Sequence, residues 1–216
     1  MGAICDSLGV AAAPAQLDAV VAFLHLLRRW NATYNLTAVR EPQAMLAQHV
    51  ADCLAAVAAL SRRPAAAAPR RVLDVGSGGG LPGVLIAIFR PEAEITCVDA
   101  VGKKAAFIRQ VAGTLALPNL RVAHSRVESL AAMPFDMITA RAFATLADLV
   151  RLTRRMLAEG GCWVAMKGAT PHAEMAALPP DVEVFHVEPL KVPGLQAQRC
   201  LVWMRLRRDS PALAGG

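Results

Sequence analysis

The chain has 216 residues, a formal net charge of +6 at pH 7 and a hydrophobic fraction of 55%. This length suits one ordinary domain with a small appendage, and the apolar content excludes an intrinsically disordered chain. No uncharged apolar run reaches the roughly 18 residues that a membrane span needs, and the first residues lack the basic start of a signal peptide. We therefore expect a cytoplasmic protein that does not bind a membrane, with a monomer as the default.

The cysteines and histidines indicate neither a disulfide framework nor a metal site. The five cysteines are odd in number and scattered, without a C-x-x-C pair, and the five histidines form no ligand spacing with them. We expect reduced thiols and no metal. The positive charge, carried mostly by arginine, suits contacts with phosphate groups. Because many basic pairs near helix ends are also explained by solvation and the helix dipole, charge alone leaves nucleic-acid binding open.

The N-terminal part of the chain has the apolar spacing of helices. An apolar stripe at helical spacing begins at Leu17. Residues 31–35 break this helix, and Glu41 starts another that runs to about residue 60. Two such helices bury little surface alone, so we expect a helical cap over residues 1–66 that packs against a larger domain.

From residue 70 onward, strand-like and helix-like segments alternate. This alternation predicts a parallel sheet with helices on both faces. The last two strands are joined without a helix, so that pair should be antiparallel. We expect an α/β fold with a seven-stranded, mostly parallel sheet over residues 67–208, followed by a flexible tail over 209–216. The predicted strands are 71–75, 94–98, 119–124, 135–140, 161–167, 182–188 and 199–206, and the predicted helices are 82–89, 102–115, 127–132, 144–157 and 172–177.

A glycine-rich turn follows the first predicted strand. Gly76 and Gly78 lie in it, between the β-branched run that carries Asp74 and the apolar helix after Pro82. Glycine allows a tight turn and a close approach of the backbone to a ligand, and proline suits the start of a helix. Since the free N–H groups of a helix start face whatever lies above the turn, the segment predicts a site for a nucleotide-like cofactor.

Two acids favour S-adenosylmethionine over a nicotinamide dinucleotide. The glycines alone also fit the G-x-G-x-x-G pattern of dinucleotide sites. Asp99 ends the next strand at about the spacing at which an acid accepts hydrogen bonds from ribose hydroxyls. A negative charge at Asp74, under the turn, would repel a pyrophosphate and favour a cationic sulfonium or ammonium group. Two structural roles stay open: Asp74 could cap local N–H groups, and Asp99 could cap the following helix.

Several strings in this order resemble the RsmG family, also called glucose-inhibited division protein B. These are bacterial S-adenosylmethionine-dependent methyltransferases that act on guanine N7 in 16S ribosomal RNA. The resemblance implies a Rossmann-like class I methyltransferase fold, that cofactor, and 16S RNA or the small ribosomal subunit as partner. The matching strings are NLTAVREPQAMLAQHVADCL, VLDVGSGGGLPG, SRVE, ITARAFA, MKG and QRCL.

The resemblance also implies a set of cofactor contacts. Glu128 and its neighbour would read the adenine edge, although an acid there could instead open a helix. Arg141 would hold the methionine carboxylate or a substrate phosphate, and its alternative is a salt bridge to Asp74 or Asp136. With the glycine turn and the ribose acid, the expected cofactor-binding residues are Gly76, Gly78, Leu81, Asp99, Val127, Glu128 and Arg141.

Three residues are the candidates for holding RNA. Lys167 ends the fifth strand and could contact a phosphate or guanine O6, or could be an ordinary exposed lysine. Arg199 opens the last strand and could instead pair with Glu188. His49 lies one helical turn before Asp52, and the plainer explanation is a surface pair on the cap.

The expected chemistry needs no catalytic acid or base. Guanine N7 carries an available lone pair, so its attack on a sulfonium methyl removes no proton, and catalysis would depend on positioning. Two other functions stay open at this stage. The glycine pattern also fits a nicotinamide-dependent reductase, and the basic charge also fits a non-catalytic RNA-binding or ribosome-assembly factor.

Overall fold

A seven-stranded β-sheet lies at the centre of the structure, a computed structural model that describes residues 1–62, 68–131 and 133–207. All seven predicted strands are present, and their order across the sheet is β3-β2-β1-β4-β5-β7-β6. The largest difference from prediction is the fifth strand, which begins four residues early because Leu157 already pairs with Phe135. The strands are β1 (Arg71–Val75), β2 (Glu94–Asp99), β3 (Leu120–His124), β4 (Phe135–Arg141), β5 (Leu157–Lys167), β6 (Val182–Leu190) and β7 (Arg199–Leu206).

The sheet is parallel except at one edge. The strands from β3 through β5 pair in parallel, while β7 pairs antiparallel with both β5 and β6. The predicted α/β fold, with an antiparallel last pair, is therefore confirmed. Strand order reverses between β1 and β4, and ligands of open α/β sheets bind at such a switch point, beyond the carboxyl ends of the strands.

Helices cover both faces of the sheet, as predicted. The helices Gly83–Phe89 and Gly102–Thr114 pack on one face with the N-terminal helices, and the helix Leu146–Thr153 packs on the other. Two predicted helices differ from expectation. The one at 127–132 is only a 3₁₀ turn, Val127–Ser129, and the one at 144–157 ends in a 3₁₀ turn, Arg154–Met156. Such turns are common as connectors and at helix ends. The helices of this part are α5 (Gly83–Phe89), α6 (Gly102–Thr114), α7 (Leu146–Thr153) and α8 (His172–Ala176).

The N-terminal segment contains more helix than its sequence predicted. The first helix went unpredicted, although it buries Cys5. The expected break at 31–35 falls at the end of that segment, since the second helix continues through Tyr34 and Asn35 caps it in the left-handed conformation. Asn31 is buried in that helix, where its side chain accepts from Thr37 N and donates to Val39 O instead of ending the helix. The helices are α1 (Gly2–Leu8), α2 (Pro14–Tyr34), α3 (Pro42–Met45) and α4 (Asp52–Ser61), with a π-helical turn (Leu46–Ala51) joining the last two.

The N-terminal helices share one apolar core with α5 and α6. Phe23 of α2 contacts Phe107 of α6 with ring centroids 6.2 Å apart, and both side chains are fully buried. The predicted boundary between residues 66 and 67 and the predicted tail 209–216 lie outside the described residues, so the division into two domains stays a prediction.

One helix, Gln43–Ser61, is long and apolar enough to cross a membrane by length and composition. However, 72% of its most apolar window is buried inside the protein, and the core helix of a soluble protein has the same properties. The helix also carries Asp52, whose carboxylate is buried and ion-paired with two arginines of the main sheet. The helix Gln43–Ser61 is therefore only weak evidence for a membrane span.

Candidate active site

The turn after β1 requires glycine because of both its backbone and its neighbours. Gly76, Gly78 and Gly80 all have positive φ angles, 65°, 56° and 82°. A Cβ on Gly76 would lie 2.5 Å from the ring of Phe143. The turn is fixed to the neighbouring strand, since Gly76 N donates to Val98 O at 2.9 Å. The backbone of this turn is therefore held rigidly at the switch point of the sheet.

Asp74 stabilises the turn from below. Its side chain is fully buried, and Oδ2 accepts a hydrogen bond from Gly83 N at 3.0 Å, at the start of α5. A Cβ on Gly83 would lie 2.4 Å from Cys97 Sγ, so only glycine allows this approach. Burial raises the pKa of Asp74 to about 6, against the opposing effect of the Gly83 hydrogen bond. The capping role of Asp74 is thus confirmed.

Asp99 also holds backbone N–H groups. Oδ2 accepts from Gly78 N at 2.9 Å and Oδ1 accepts from Val101 N at 2.8 Å, just before α6. The expected N-cap role was wrong, because Val101 is the N-cap of α6 and no side chain caps it; the bond from Val101 N is a local turn ahead of the helix. A carboxylate has about four lone-pair sites, so each oxygen keeps one for a further donor such as a ribose hydroxyl. The ribose contact stays a prediction that this geometry permits.

A cavity of about 220 Å³ opens over the glycine turn. It brings together five of the residues predicted from the sequence: Gly76, Gly78, Leu81, Arg141 and His49. Sequence reasoning missed a second wall, contributed by α2 and the loop after it, as well as a lysine from α6. The added lining residues are Leu27, Leu36, Thr37, Ser77, Gly79, Lys104 and Ala142.

A buried ion-pair cluster lies beside this cavity. The Asp52 carboxylate, with a side chain 4% exposed, pairs with Arg141 Nη1 at 3.6 Å and with Arg199 Nε at 3.2 Å. Burial raises the pKa of Asp52, and the two guanidinium groups oppose this. The alternatives for the two arginines were therefore wrong. Glu188, the expected partner of Arg199, pairs with Arg62 instead.

The other expected partners of Arg141 are also occupied elsewhere. Asp136 accepts hydrogen bonds from the backbone N–H groups of Arg70 and Arg71, which holds the start of β1. Asp74 bonds Gly83, as described above. Arg141 instead contacts the N-terminal helices, where Nη1 also donates to Gln48 O at 3.2 Å.

His49 links the cluster to the loop before it. Nε2 lies 2.7 Å from Thr37 Oγ1, and Nδ1 lies 3.5 Å from Arg141 Nη1. Burial lowers the pKa of His49, and the positive charge of Arg141 lowers it further. The surface-pair alternative for His49 and Asp52 was wrong, since both are buried. His49 belongs to the π-helical turn, a feature frequent at functional sites.

The remaining predicted site residues do not line this cavity. Lys167 is not an exposed lysine, since Nζ donates to Glu174 Oε2 at 2.8 Å and to Ala144 O at 3.0 Å. Val127 is buried in the core beneath α7. Glu128 lines a separate cavity of about 640 Å³, together with Arg151, Leu152, Arg154, Arg155 and Leu206. The adenine contact and the RNA contacts stay predictions.

No metal-binding group is present in the described ranges 1–62, 68–131 and 133–207, where no cluster of three or more His, Cys, Asp or Glu could hold an ion. Cys5, Cys53, Cys97 and Cys200 are free thiols, and burial raises the pKa of Cys53 to about 12 and that of Cys97 well above its ordinary value. The groups that the cavity wall offers to a ligand are the backbone of the glycine turn, the cationic side chains of Arg141 and Lys104, and His49.

A sheet of this order with a glycine turn at its switch point is the architecture of a class I methyltransferase. Solved structures agree on the fold. TrmN from Thermus thermophilus is 20% identical with a TM-score of 0.55, over 72% of this chain and 48% of that one. A mutant of MtNAS in complex with S-adenosylmethionine is 16% identical with a TM-score of 0.58, over 89% of this chain and 76% of that one.

Sequence comparison identifies the family. The family model described as rRNA small subunit methyltransferase G matches residues 16–202. A ribosomal RNA small subunit methyltransferase G from Leptothrix cholodnii is 61% identical over 202 residues, 94% of this chain and 92% of that protein. One from Acidovorax sp. is 57% identical, over 93% of this chain and 91% of that protein. The chain belongs to the rRNA small subunit methyltransferase G family, as its sequence strings predicted.

Proposed function

We propose that this protein transfers the methyl group of S-adenosylmethionine to N7 of one guanine in 16S ribosomal RNA of the small subunit. The observation that carries the proposal is the cavity at the switch point. The glycine turn forms one wall, and a second wall comes from the N-terminal segment. Family membership supports methyl transfer and opposes the nicotinamide-reductase alternative.

The chain fits the cofactor in three respects. Gly76 and Gly78 line the cavity with bare backbone, and a Cβ on Gly78 would meet only Gly76 O at 3.9 Å, so the turn leaves room for a ligand that approaches closely. Asp99 keeps free lone pairs for ribose hydroxyls. Arg141 and Lys104 supply positive charge on the cavity wall for a carboxylate.

The reaction needs positioning and no proton transfer. When bound, the cofactor supplies an electrophilic methyl group on a sulfonium. The lone pair of guanine N7 forms the new N–C bond, while the electron pair of the breaking C–S bond stays with sulfur. One positive charge thereby moves to the purine ring. The part played by the chain is to align N7 with the methyl carbon and sulfur, which proximity and orientation can accelerate strongly.

A guanine must leave its stack before its N7 can enter such a cavity, so the target lies in a loop or is splayed out of the folded RNA. The outer contacts to RNA would come from Lys167 and Arg199 at the same edge of the sheet. Both are held in ion pairs in the structure, with Glu174 and Asp52. A phosphate that contacts Lys167 would therefore have to compete with the Glu174 carboxylate for the same ammonium group.

We further propose that the protein is a cytoplasmic monomer.

The test is transfer of labelled methyl from S-adenosylmethionine to small subunits isolated from cells that lack this gene, with free 16S RNA alongside. Reduction and aniline cleavage then map any 7-methylguanosine. Label at one guanine supports the proposal, and the ratio of subunits to free RNA identifies the substrate. Binding of RNA without any methyl transfer supports the non-catalytic assembly factor and overturns the proposal.

A further inference from the structure

The loop that follows α2 contributes a threonine to the wall of the cavity that the glycine turn also lines. Thr37 lines the cavity, and its backbone is fixed because Thr37 N donates to Asn31 Oδ1 at 2.8 Å. Asn31 also holds Val39 O at 3.1 Å. The position of the Thr37 hydroxyl is therefore set by a buried asparagine and does not depend on a free loop.

Both lone pairs of the Thr37 hydroxyl are used inside the protein. Val39 N donates to Oγ1 at 3.1 Å. The second neighbour is His49 Nε2 at 2.7 Å. The His49 tautomer is assigned from Arg141, whose guanidinium can only donate and whose Nη1 lies 3.5 Å from Nδ1. With Nδ1 as the acceptor, Nε2 carries the ring proton and donates to Thr37 Oγ1. The lowered pKa of His49, caused first by burial, agrees with this neutral form.

The hydroxyl proton of Thr37 is left for a ligand. With the assigned His49 tautomer, no acceptor among the described residues takes it, and Thr37 borders the cavity. The other hydroxyl on the cavity wall is different, because Ser77 Oγ donates to Asp74 O at 2.8 Å. Thr37 is therefore a fixed donor on the part of the cavity wall that the N-terminal segment contributes.

The edge of guanine that carries N7 presents two acceptors, N7 and O6, whereas adenine presents N7 beside an amino donor. A fixed hydroxyl donor can satisfy O6 and opposes the amino group. We propose that the Thr37 hydroxyl donates a hydrogen bond to O6 of the target base and so selects guanine over adenine. This inference rests on the proposed function, since it requires N7 of a purine to be the methyl acceptor.

The test couples a side-chain change to a base change. Thr37→Val removes the hydroxyl at nearly constant shape, and Thr37→Ser keeps it. The substrates are small subunits reconstituted with 16S RNA that carries guanine or 2-aminopurine at the mapped target; 2-aminopurine keeps N7 and lacks O6. We expect Thr37→Val to lower kcat/KM on guanine by about ten- to a hundredfold and to change it little on 2-aminopurine. Thr37→Ser should stay near wild type.

Controls separate this role from a structural one. Thr33→Val changes an exposed threonine of α2 and should leave both substrates unaffected. The Kd for S-adenosylmethionine, measured by Trp fluorescence, checks that each variant is folded and should stay constant; if Thr37→Val fails this check, Thr37→Ala gives the same comparison.

Three outcomes overturn the inference. An equal loss by Thr37→Val on both bases would mean a structural role. A weaker Kd for S-adenosylmethionine, with unchanged base discrimination, would assign the hydroxyl to the cofactor. If the wild-type protein does not methylate even the guanine substrate, the proposed function itself fails and the inference fails with it.

Discussion

The carboxylate of Asp52 and the guanidinium of Arg141 form an ion pair, 3.6 Å apart, that joins the N-terminal helices to the end of β4. The same carboxylate pairs with Arg199, the first residue of β7. Arg141 lines the cavity, so one buried acid fixes both a residue of the proposed cofactor site and a candidate RNA contact. The orientation of the N-terminal helices and the geometry of the site are thereby linked.

Asp52→Asn should destabilise the fold. The substitution removes the negative charge that pairs with both arginines, and loss of one partner of a buried ion pair costs about 3–5 kcal/mol. The measurement is the free energy of unfolding in urea, followed by Trp fluorescence. The matched control is Asp148→Asn, which breaks the exposed pair with Arg151 and should cost much less, because exposed ion pairs contribute little. Equal stabilities of the two variants would contradict the structural role of Asp52.

Asp74 should make stability fall as pH rises between about 4 and 6. Burial raises its pKa from 3.8 to about 6, so the folded state binds more protons than the unfolded state in that window. The contribution of Asp74 to the free energy of unfolding is most favourable below pH 4 and is lost as pH rises through 6. The difference between these two limits is about 3 kcal/mol. Urea unfolding of wild type and Asp74→Asn from pH 4 to 7 measures it. Since other groups titrate alike in both proteins, parallel curves would show that Asp74 does not cause the dependence.

The sheet and the glycine turn were predictable because each is encoded by neighbouring residues. Buried strands appear as short apolar runs, and a turn with positive φ at Gly76 and Gly78 selects glycine locally. The second wall of the cavity was not predictable, because it depends on where the N-terminal helices pack. Asp52 pairs with arginines that lie far along the chain. Asn31 has the residue type of a helix breaker, yet it is buried inside the helix and its side chain hydrogen-bonds the backbone of the following loop.

Gly76→Ala should weaken binding of S-adenosylmethionine at least about tenfold. The φ angle of 65° disfavours any Cβ, and that atom would lie 2.5 Å from the Phe143 ring, so the turn or the ring must move. The Kd from calorimetry measures the effect. Gly113→Ala is the control, since a Cβ there meets nothing within 4 Å in α6, and it should leave the Kd unchanged. A wild-type Kd for Gly76→Ala would mean that the turn does not hold the cofactor.

Lys104→Met should raise the KM for S-adenosylmethionine about tenfold, because a charge-assisted hydrogen bond to the methionine carboxylate would be lost. Lys104 lines the cavity, whereas its neighbour Lys103 donates to Tyr34 O at 2.7 Å and does not line it. Lys103→Met is therefore a matched control for charge and position in α6, and its KM should stay near wild type. Steady-state kinetics at saturating small subunits separate KM from kcat. If both variants raise the KM equally, the effect is general electrostatics near the start of α6; if neither does, Arg141 alone supplies the positive charge for the carboxylate.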